Sequence, residues 1–512
     1  MSAFAIAAAS PSSAARASGA LILEAFADLR ADFEELLFLG RSAGSVLEQA
    51  SVELEAVRSL LHAPTRELLA GQLQASRRRT EAVEDHLLSL RALAESGPRT
   101  QALLDRLAAE KASVADLLRT EQALTAALVG AADWQSPSFL HSTLPAAGRQ
   151  NGRIRAHWND YKRDRHLDAE AYEAKYLAAM VDGPPGLRAL LTSCGMAAFT
   201  TVLSFLLMER RLERPVLAGA GMYHETRLLL ERALPERVHV VDERDTGAVL
   251  RAIDELRPSA IFLDSLSNTK WMPVPELARL VERLQGTDVY LIVDNTGLSV
   301  SCQPFALAGG SVRLIVFESL LKYAQLGLDR ANAGVIVARS DDVELLSDYR
   351  EHLGTNVADV AVHALPRPDR RVLERRLARL QRNALHLATR LREQAGASVA
   401  IVYPGLDSHR SAPAAPRLAY RGGCLSIVIK ESDAGLSRER ALVEEAVAEA
   451  ARRGAALVGG SSFGFNTTRI YLTAARAGHG DPFVRVAAGT EHRIELETLA
   501  ETLIAAVRKV SS

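Results

Sequence analysis

The sequence predicts an α/β protein with a mostly parallel sheet, a smaller α/β domain after it and a helical region before it. Three observations carry this. From about residue 185 to residue 340, short β-type runs alternate with helical segments. The alternation resumes beyond a long helical stretch at 371–395, Arg-rich on one side. Residues 20–132 are rich in Leu, Ala, Arg and Glu and poor in glycine. Strands alternating with helices imply right-handed crossovers and parallel pairing.

In the helical region, apolar residues recur at helical spacing, as at Leu54, Val57, Leu60 and Leu61, or at Leu104, Leu107, Val114, Leu117 and Leu118. This predicts amphipathic helices, packed as a bundle or lying on another domain. Their charged positions read as solvated faces. Pro, Ser and Gly at 134–153 read as a linker. Strands follow at 215–220, 238–241, 260–263, 289–293, 314–317 and 335–337, with helices at 247–256 and 274–284. Beyond the long helix come strands at 399–403, 425–430, 469–472 and 484–487, a helix at 440–452 and a last helix from about 494. The expected division is 1–150 for the helical extension and linker, 151–370 for the large domain and 371–512 for the small one.

The 512 residues are 48% hydrophobic and 24% charged, enough apolar content to build packed cores. A net charge of −1 argues against a nucleic-acid or anionic-membrane partner. The three cysteines, Cys194, Cys302 and Cys424, show no metal-ligand spacing and read as free thiols of a reducing, cytoplasmic compartment. No run is long and apolar enough to cross a membrane, and the Ala- and Ser-rich first twenty residues lack a secretory core.

Ligands of parallel sheets bind beyond the carboxyl ends of the strands, so the residues just after each strand matter most. Asp294 ends the run Val289-Tyr290-Leu291-Ile292-Val293, and Lys322 follows the next strand in Phe317-Glu318-Ser319-Leu320-Leu321-Lys322-Tyr323. Asn268 lies in the loop after Asp264, and Tyr223 follows the strand at 215–220. Ser193-Cys194-Gly195-Met196 opens a helix. Together these suit a pyridoxal 5′-phosphate (PLP) site. A helix N-terminus at Gly195 offers free amides to a phosphate, and an aspartate pairs with a protonated pyridine nitrogen. A partly desolvated lysine forms a Schiff base and shuttles protons, and an aromatic ring stacks on the cofactor.

The segments Tyr161-Lys162-Arg163, Ser193-Cys194-Gly195-Met196-Ala197-Ala198, Asp264-Ser265-Leu266-Ser267-Asn268 and Val293-Asp294-Asn295-Thr296 stand in that order. Ser319-Leu320-Leu321-Lys322-Tyr323, Tyr403-Pro404-Gly405-Leu406 and Val484-Arg485-Val486-Ala487-Ala488-Gly489 complete the set. From about Tyr161 onward the chain resembles the cystathionine γ-synthase-like (Cys/Met metabolism) group of fold-type-I PLP enzymes. The resemblance implies that Lys322 carries the cofactor, Asp294 pairs with its ring nitrogen and Asn268 bonds its phenolic oxygen. It implies that Tyr223 stacks on the ring and assists proton transfer, while Gly195, Met196 and Ser319 bind the phosphate. Tyr161 and Arg163 match a pair that reaches the phosphate of a neighbouring subunit, which implies a homodimer or homotetramer with shared active sites. Arg485 matches the arginine that grips the substrate α-carboxylate, and Ser462 the serine of the nearby small-domain loop.

Several positions depart from the family pattern. Leu321 stands where the family often has threonine before the lysine, and Glu318 where it has histidine. His224 and Glu225 replace glycines after the tyrosine, and Leu266 and Thr269 replace prolines around the asparagine loop. The stretch at 354–370 is shortened and altered, and the helical extension is extra. Glu318, His224, Glu225 and Asp329 are candidates to line or support the side-chain pocket. The implied activity is a divergent PLP-dependent lyase or transferase performing γ- or β-elimination or γ-replacement on an amino acid, in specialised metabolism, with a thiol, acyloxy group or halide leaving. Other readings stay open: an inactive PLP-fold scaffold, a PLP-dependent transaminase, racemase or decarboxylase, and a dinucleotide-binding dehydrogenase suggested by Gly219-Ala220-Gly221 after a strand.

Overall fold

The computed structural model describes residues 19–56, 58, 62–132, 167–267, 269–411, 414, 417–430, 436–475 and 480–511. The expected linker at 134–153 lies outside them.

Three long helices come first: α1 (Gly19–Ala56), α2 (Ala63–Ser96) and α3 (Gln101–Ala132). The buried positions of α2 are Leu69, Leu73, Ser76, Thr80, Val83, Leu87, Leu90 and Ala94. They step by four and three in turn, the spacing of a helix seam packed side on against partner helices. Helix α1 buries a wider face, including Phe26, Leu29, Phe33 and Leu37, because it lies between the other helices and the rest of the protein.

Next come α4 (Leu167–Met180), β1 (Leu187–Thr192), α5 (Gly195–Met208), β2 (Val216–Gly219), α6 (His224–Ala233), β3 (Val238–Val241), α7 (Thr246–Leu256) and β4 (Ala260–Asp264). They continue with α8 (Leu277–Leu284), β5 (Tyr290–Asp294), α9 (Pro304–Ala308), β6 (Arg313–Ser319), β7 (Gly334–Arg339), α10 (Ser340–Leu353) and α11 (Asp359–Ala364). The strands form one seven-stranded sheet in the order β1-β7-β6-β5-β4-β2-β3. Strands β2 to β6 pair in parallel, and β7 runs antiparallel to both its neighbours. Side chains alternate across this sheet with period two. Ile261, Leu263, Leu291, Val293, Leu314 and Val316 face one core. Phe262, Tyr290, Ile292, Ile315 and Phe317 face another, under α5 and α10. The first core also contains Phe26, Leu29 and Leu87 of the N-terminal helices. The helical extension is therefore a layer continuous with the cover of the large sheet.

Strand β1 is an addition to the six strands expected for this sheet. Its residues, Leu-Arg-Ala-Leu-Leu-Thr, have no β-branched member before Thr192, so local preference gives no strand signal. Pairing with β7 decides it. Helix α8 begins three residues later than expected because Pro275 holds Val274 out of the helical region.

The second sheet follows α12 (Arg370–Ala395), with β8 (Val399–Val402), β9 (Cys424–Ile429), α13 (Ser437–Arg453), β10 (Val458–Gly459), β11 (Arg469–Thr473), β12 (Phe483–Ala487) and α14 (Arg493–Ser511). Its order is β10-β11-β12-β9-β8, antiparallel except for β10 with β11. Strand β10, two residues long, is the one strand of this sheet that the sequence reading lacked.

Candidate active site

Parallel strands put their carboxyl ends on one edge of the sheet, and at that edge the register sets Asp264 of β4 beside Asp294 of β5 and Asp294 beside Phe317 of β6. A cleft of about 900 Å³ opens there, between the large sheet and the 461–463 segment of the smaller one. Gly195, Met196, Tyr223 and Asp294 line it from the large-domain side, with Ser319 and Lys322 beside them. Ser462 and Arg485 close it from the other. Asn268, Tyr161 and Arg163 lie outside the described residues.

Lys322 follows β6 by three residues, and its Nζ donates to Ser462 Oγ at 2.6 Å and lies 5.3 Å from the Phe463 ring centre. Burial lowers its proton affinity, and the positive charge of Arg485 lowers it further. Ser462 holds a left-handed backbone, φ 72°, a conformation costly for a residue with a Cβ and often found where a side chain must be aimed. The loop is packed tightly here: a Cβ on Gly464 would come within 2.2 Å of the Lys322 carbonyl oxygen.

The two aspartates form a coupled buried pair. Burial pushes Asp264 far above the ordinary carboxylate range, and the Asp294 charge adds to it. Burial raises Asp294 too, but Thr296 opposes this, its amide donating to Asp294 Oδ1 at 2.9 Å. Of the pair, Asp264 is the carboxyl pushed more strongly towards holding a proton, and Asp294 the one better able to carry the charge. Asp264 Oδ2 accepts from the Tyr223 amide at 3.1 Å, while Oδ1 is buried with no partner among the described residues. Thr296 also accepts from the Ser319 amide, 2.9 Å, tying the β5 and β6 ends together.

Helix α5 is capped by Cys194, whose Sγ accepts from the Ala197 amide at 3.3 Å. The Gly195 and Met196 amides make no hydrogen bond among the described residues, as first-turn amides do unless a ligand takes them. A Cβ on Gly195 would lie 2.7 Å from Ser319 Cβ, so only glycine lets the helix end approach the β6 end this closely. Tyr223 caps α6 and is half exposed over the cleft. Partial burial, then the neighbouring Glu225 carboxylate, pushes its phenol up to about 12.

These features fit PLP: a small, amide-lined cradle for phosphate, a buried aspartate for the ring nitrogen, and a desolvated amine at the right edge of the sheet. The dehydrogenase reading fits poorly. The Gly221 amide donates to Glu243 Oε1 at 2.8 Å, and a Cβ there would meet that oxygen at 2.5 Å. A buried side chain therefore occupies the place a pyrophosphate would need.

Among the departures, His224 and Glu225 line the cleft, as does Leu321. Glu318 instead points to the opposite face, where Ser299 and Tyr176 hydroxyls donate to it at 2.6 Å and 3.2 Å. Asp329 is drawn towards Arg119 of α3, 4.0 Å away. Asp264, Thr296 and Glu243 were not assigned from sequence. Asp264 carries the same signal as Asp294, an acid closing an apolar strand; the other two act through contacts that no local pattern announces.

The family description "Cys/Met metabolism PLP-dependent enzyme" matches residues 119–498. The chain is 26% identical over 330 residues to the bifunctional enzyme flvA of Aspergillus flavus, covering 62% of this chain and 39% of that protein. It is 26% identical over 263 residues to methionine gamma-lyase of Arabidopsis thaliana, covering 49% and 55%. It therefore spans between about two fifths and just over half of the length of these curated relatives. Among solved structures, cystathionine gamma synthase of Xanthomonas oryzae pv. oryzae in complex with cystathionine superposes with a TM-score of 0.56 at 21% identity, covering 70% of this chain and 90% of that one. Cystathionine gamma-lyase of Lactobacillus plantarum complexed with L-serine gives 0.56 at 21%, covering 70% and 91%. With the match to the family description extending from the third helix into the start of the last, this chain belongs to the Cys/Met metabolism PLP-dependent enzyme family.

Proposed function

We propose that the protein is a PLP-dependent lyase or transferase that removes or replaces a γ- or β-substituent of an amino acid. The observation that carries this is Lys322: a desolvated amine held by Ser462 in one cleft with Asp294 and Arg485. The names of the relatives support the reaction class, and the low identity supports a substrate of its own, with a thiol, acyloxy or halide leaving group.

When bound, PLP supplies an electron sink that stabilises negative charge at the substrate Cα. The chain's residues do the rest. Gly195, Met196 and Ser319 hold the phosphate, Asn268 the phenolic oxygen, and Asp294 keeps the ring nitrogen protonated. Tyr223 covers the ring. Arg485, with no ion pair among the described residues, takes the substrate carboxylate by a bidentate contact. Lys322 removes the Cα proton and, in γ-chemistry, moves the Cβ proton as well, with Tyr223 assisting near the leaving group. Ser462 Oγ aims the Lys322 nitrogen while it is free. Tyr161 and Arg163 of a neighbouring subunit complete the phosphate site, so the working unit is at least a dimer.

The test is the visible absorbance of the PLP-loaded protein beside Lys322→Ala, before and after adding amino acids with γ-leaving groups. The wild type is expected to show the band of lysine-bound cofactor, the variant to lose it, and one γ-substituted amino acid to change it with release of its leaving group. Racemised or transaminated amino acid without that release moves the assignment to a racemase or transaminase. No band and no turnover returns the chain to a scaffold.

A further inference from the structure

Arg376 of α12 has a fully buried side chain that joins three parts of the chain. Its Nη1 donates to Glu35 Oε1 of α1 at 2.5 Å. Its Nη2 donates to the Gly464 carbonyl at 2.9 Å and to Asn466 Oδ1 at 2.8 Å. A Cβ on Gly327 would meet Asn466 Oδ1 at 2.4 Å and Arg376 Nη2 at 2.7 Å. The loop after Lys322 and the loop after Ser462 therefore converge on one guanidinium, and the N-terminal helices supply its counter-ion. A second tie runs beside it: Arg330 Nε donates to the Arg119 carbonyl of α3 at 3.2 Å.

From this geometry we propose that Glu35 is a positioning residue for Lys322, acting through Arg376 and the 462–466 loop to hold Ser462 Oγ against the lysine nitrogen. The inference rests on the reading of Lys322 as the cofactor lysine. Its physical basis is the difference between a buried guanidinium with and without its carboxylate. Without Glu35 the charge is uncompensated in a water-poor site, and a cation so placed turns towards solvent or drags its neighbours with it. The neighbours here are the two loops that bracket Lys322. Their loosening frees Ser462 and admits water to the amine. The groups that face Lys322 directly are Arg485 of β12, Asp294 of β5, Asp329 of its own loop and Cys424 of β9. Glu35 and Arg376 are not among them, so the effect runs through order rather than through direct charge.

The test uses the full chain stripped of cofactor. Covalent capture of added PLP, trapped with borohydride and mapped to its residue, is followed against pH in the wild type, Glu35→Gln and Glu121→Gln. Glu121 pairs with Arg79 inside the bundle and has no hydrogen bond or ion pair to either loop among the described residues, so its variant is the control for weakening the bundle. In Glu35→Gln the midpoint of the capture profile is expected to rise by about one pH unit, slowing capture at neutral pH about tenfold, because a hydrated amine holds its proton more tightly. Glu121→Gln is expected to lower the thermal midpoint and leave the profile in place. An unmoved profile in Glu35→Gln overturns the proposal, and so does an equal shift in both variants. Should Glu35→Gln fail to fold, Asn466→Ala cuts the same link at its far end and must show the shift; its absence there is equally decisive. Trapping at a residue other than Lys322 in the wild type instead sinks the cofactor assignment on which all of this rests.

Discussion

Asp264 and Asp294 end adjacent strands with the same residue type, and their surroundings favour the charged form of Asp294 over that of Asp264. Thr296 and the nearby lysine favour the ionised form of Asp294, while Asp264 has only the Tyr223 amide to offset burial. Asparagine mimics a protonated aspartate and cannot mimic an ionised one. Asp264→Asn is therefore expected to bind PLP within a few-fold of wild type in a spectral titration. Asp294→Asn should lose at least about a hundredfold in turnover, the scale of removing one preorganised charge. Equal losses in both would mean that the proton is not divided as described. Glu318 offers a pH experiment. Burial raises its carboxyl from 4.5 to about 7, so the folded state holds a proton there that the unfolded state has released. Its contribution to stability is full below about 4.5 and lost as pH rises through about 7, a change of order 3 kcal/mol at most. Glu318→Gln should flatten the pH dependence of the unfolding free energy across that window, measured by denaturant titration. Lys322 and Asp294 were legible in the sequence because each stands just past an apolar strand, where ligands of parallel sheets collect. Asp264 showed the same mark but was read only as part of a motif. Glu243 and the Arg376 linkage had none, since their partners are Gly221 and, from another part of the chain, Glu35.

Among the elements, α12 was the easiest to read and β1 the hardest. The apolar positions of α12 repeat with helical spacing, and Asp369 caps it, its side chain accepting from the Val372 amide at 3.1 Å. Asp369→Ala should cost about 1 kcal/mol in a denaturant titration, and because α12 carries Arg376, it should also slow PLP capture. A stability loss near zero would show that tertiary packing alone holds the helix start. Strand β1 was invisible because leucines and alanine suit a helix as well as a strand; its partner β7, nearly 150 positions later, makes the choice. The 3–4 seam of α2 was legible as a helix, but its partner was not: amphipathic spacing announces a face and leaves open what covers it.

At the scale of the molecule, the helical extension is fastened to the enzyme fold by packing and by charge. Asp28 pairs with Arg379 and, at 2.7 Å, with Arg382 of α12, and Glu35 pairs with Arg376 of the same helix at 2.5 Å. Since Phe26 and Leu29 share one core with β4, β5 and β6, calorimetry should show the extension and the large sheet unfolding in one transition. A separate early transition for the helices would mean that the shared core is energetically slight. The smaller sheet has its own core under α12, α13 and α14, which accounts for its legibility as a separate alternation of strands and helices.

The same arrangement bears on how the chain is made. Asp28 and Arg379 stand 351 positions apart, and the core that buries Phe26 includes strands more than 200 residues downstream. At about 5–20 residues per second, the first helix leaves the ribosome roughly 20–70 s before the arginines that neutralise it exist. Until β4 to β6 follow, its broad apolar face has only α2 and α3 for company, and its acidic residues wait longer still for the arginines of α12.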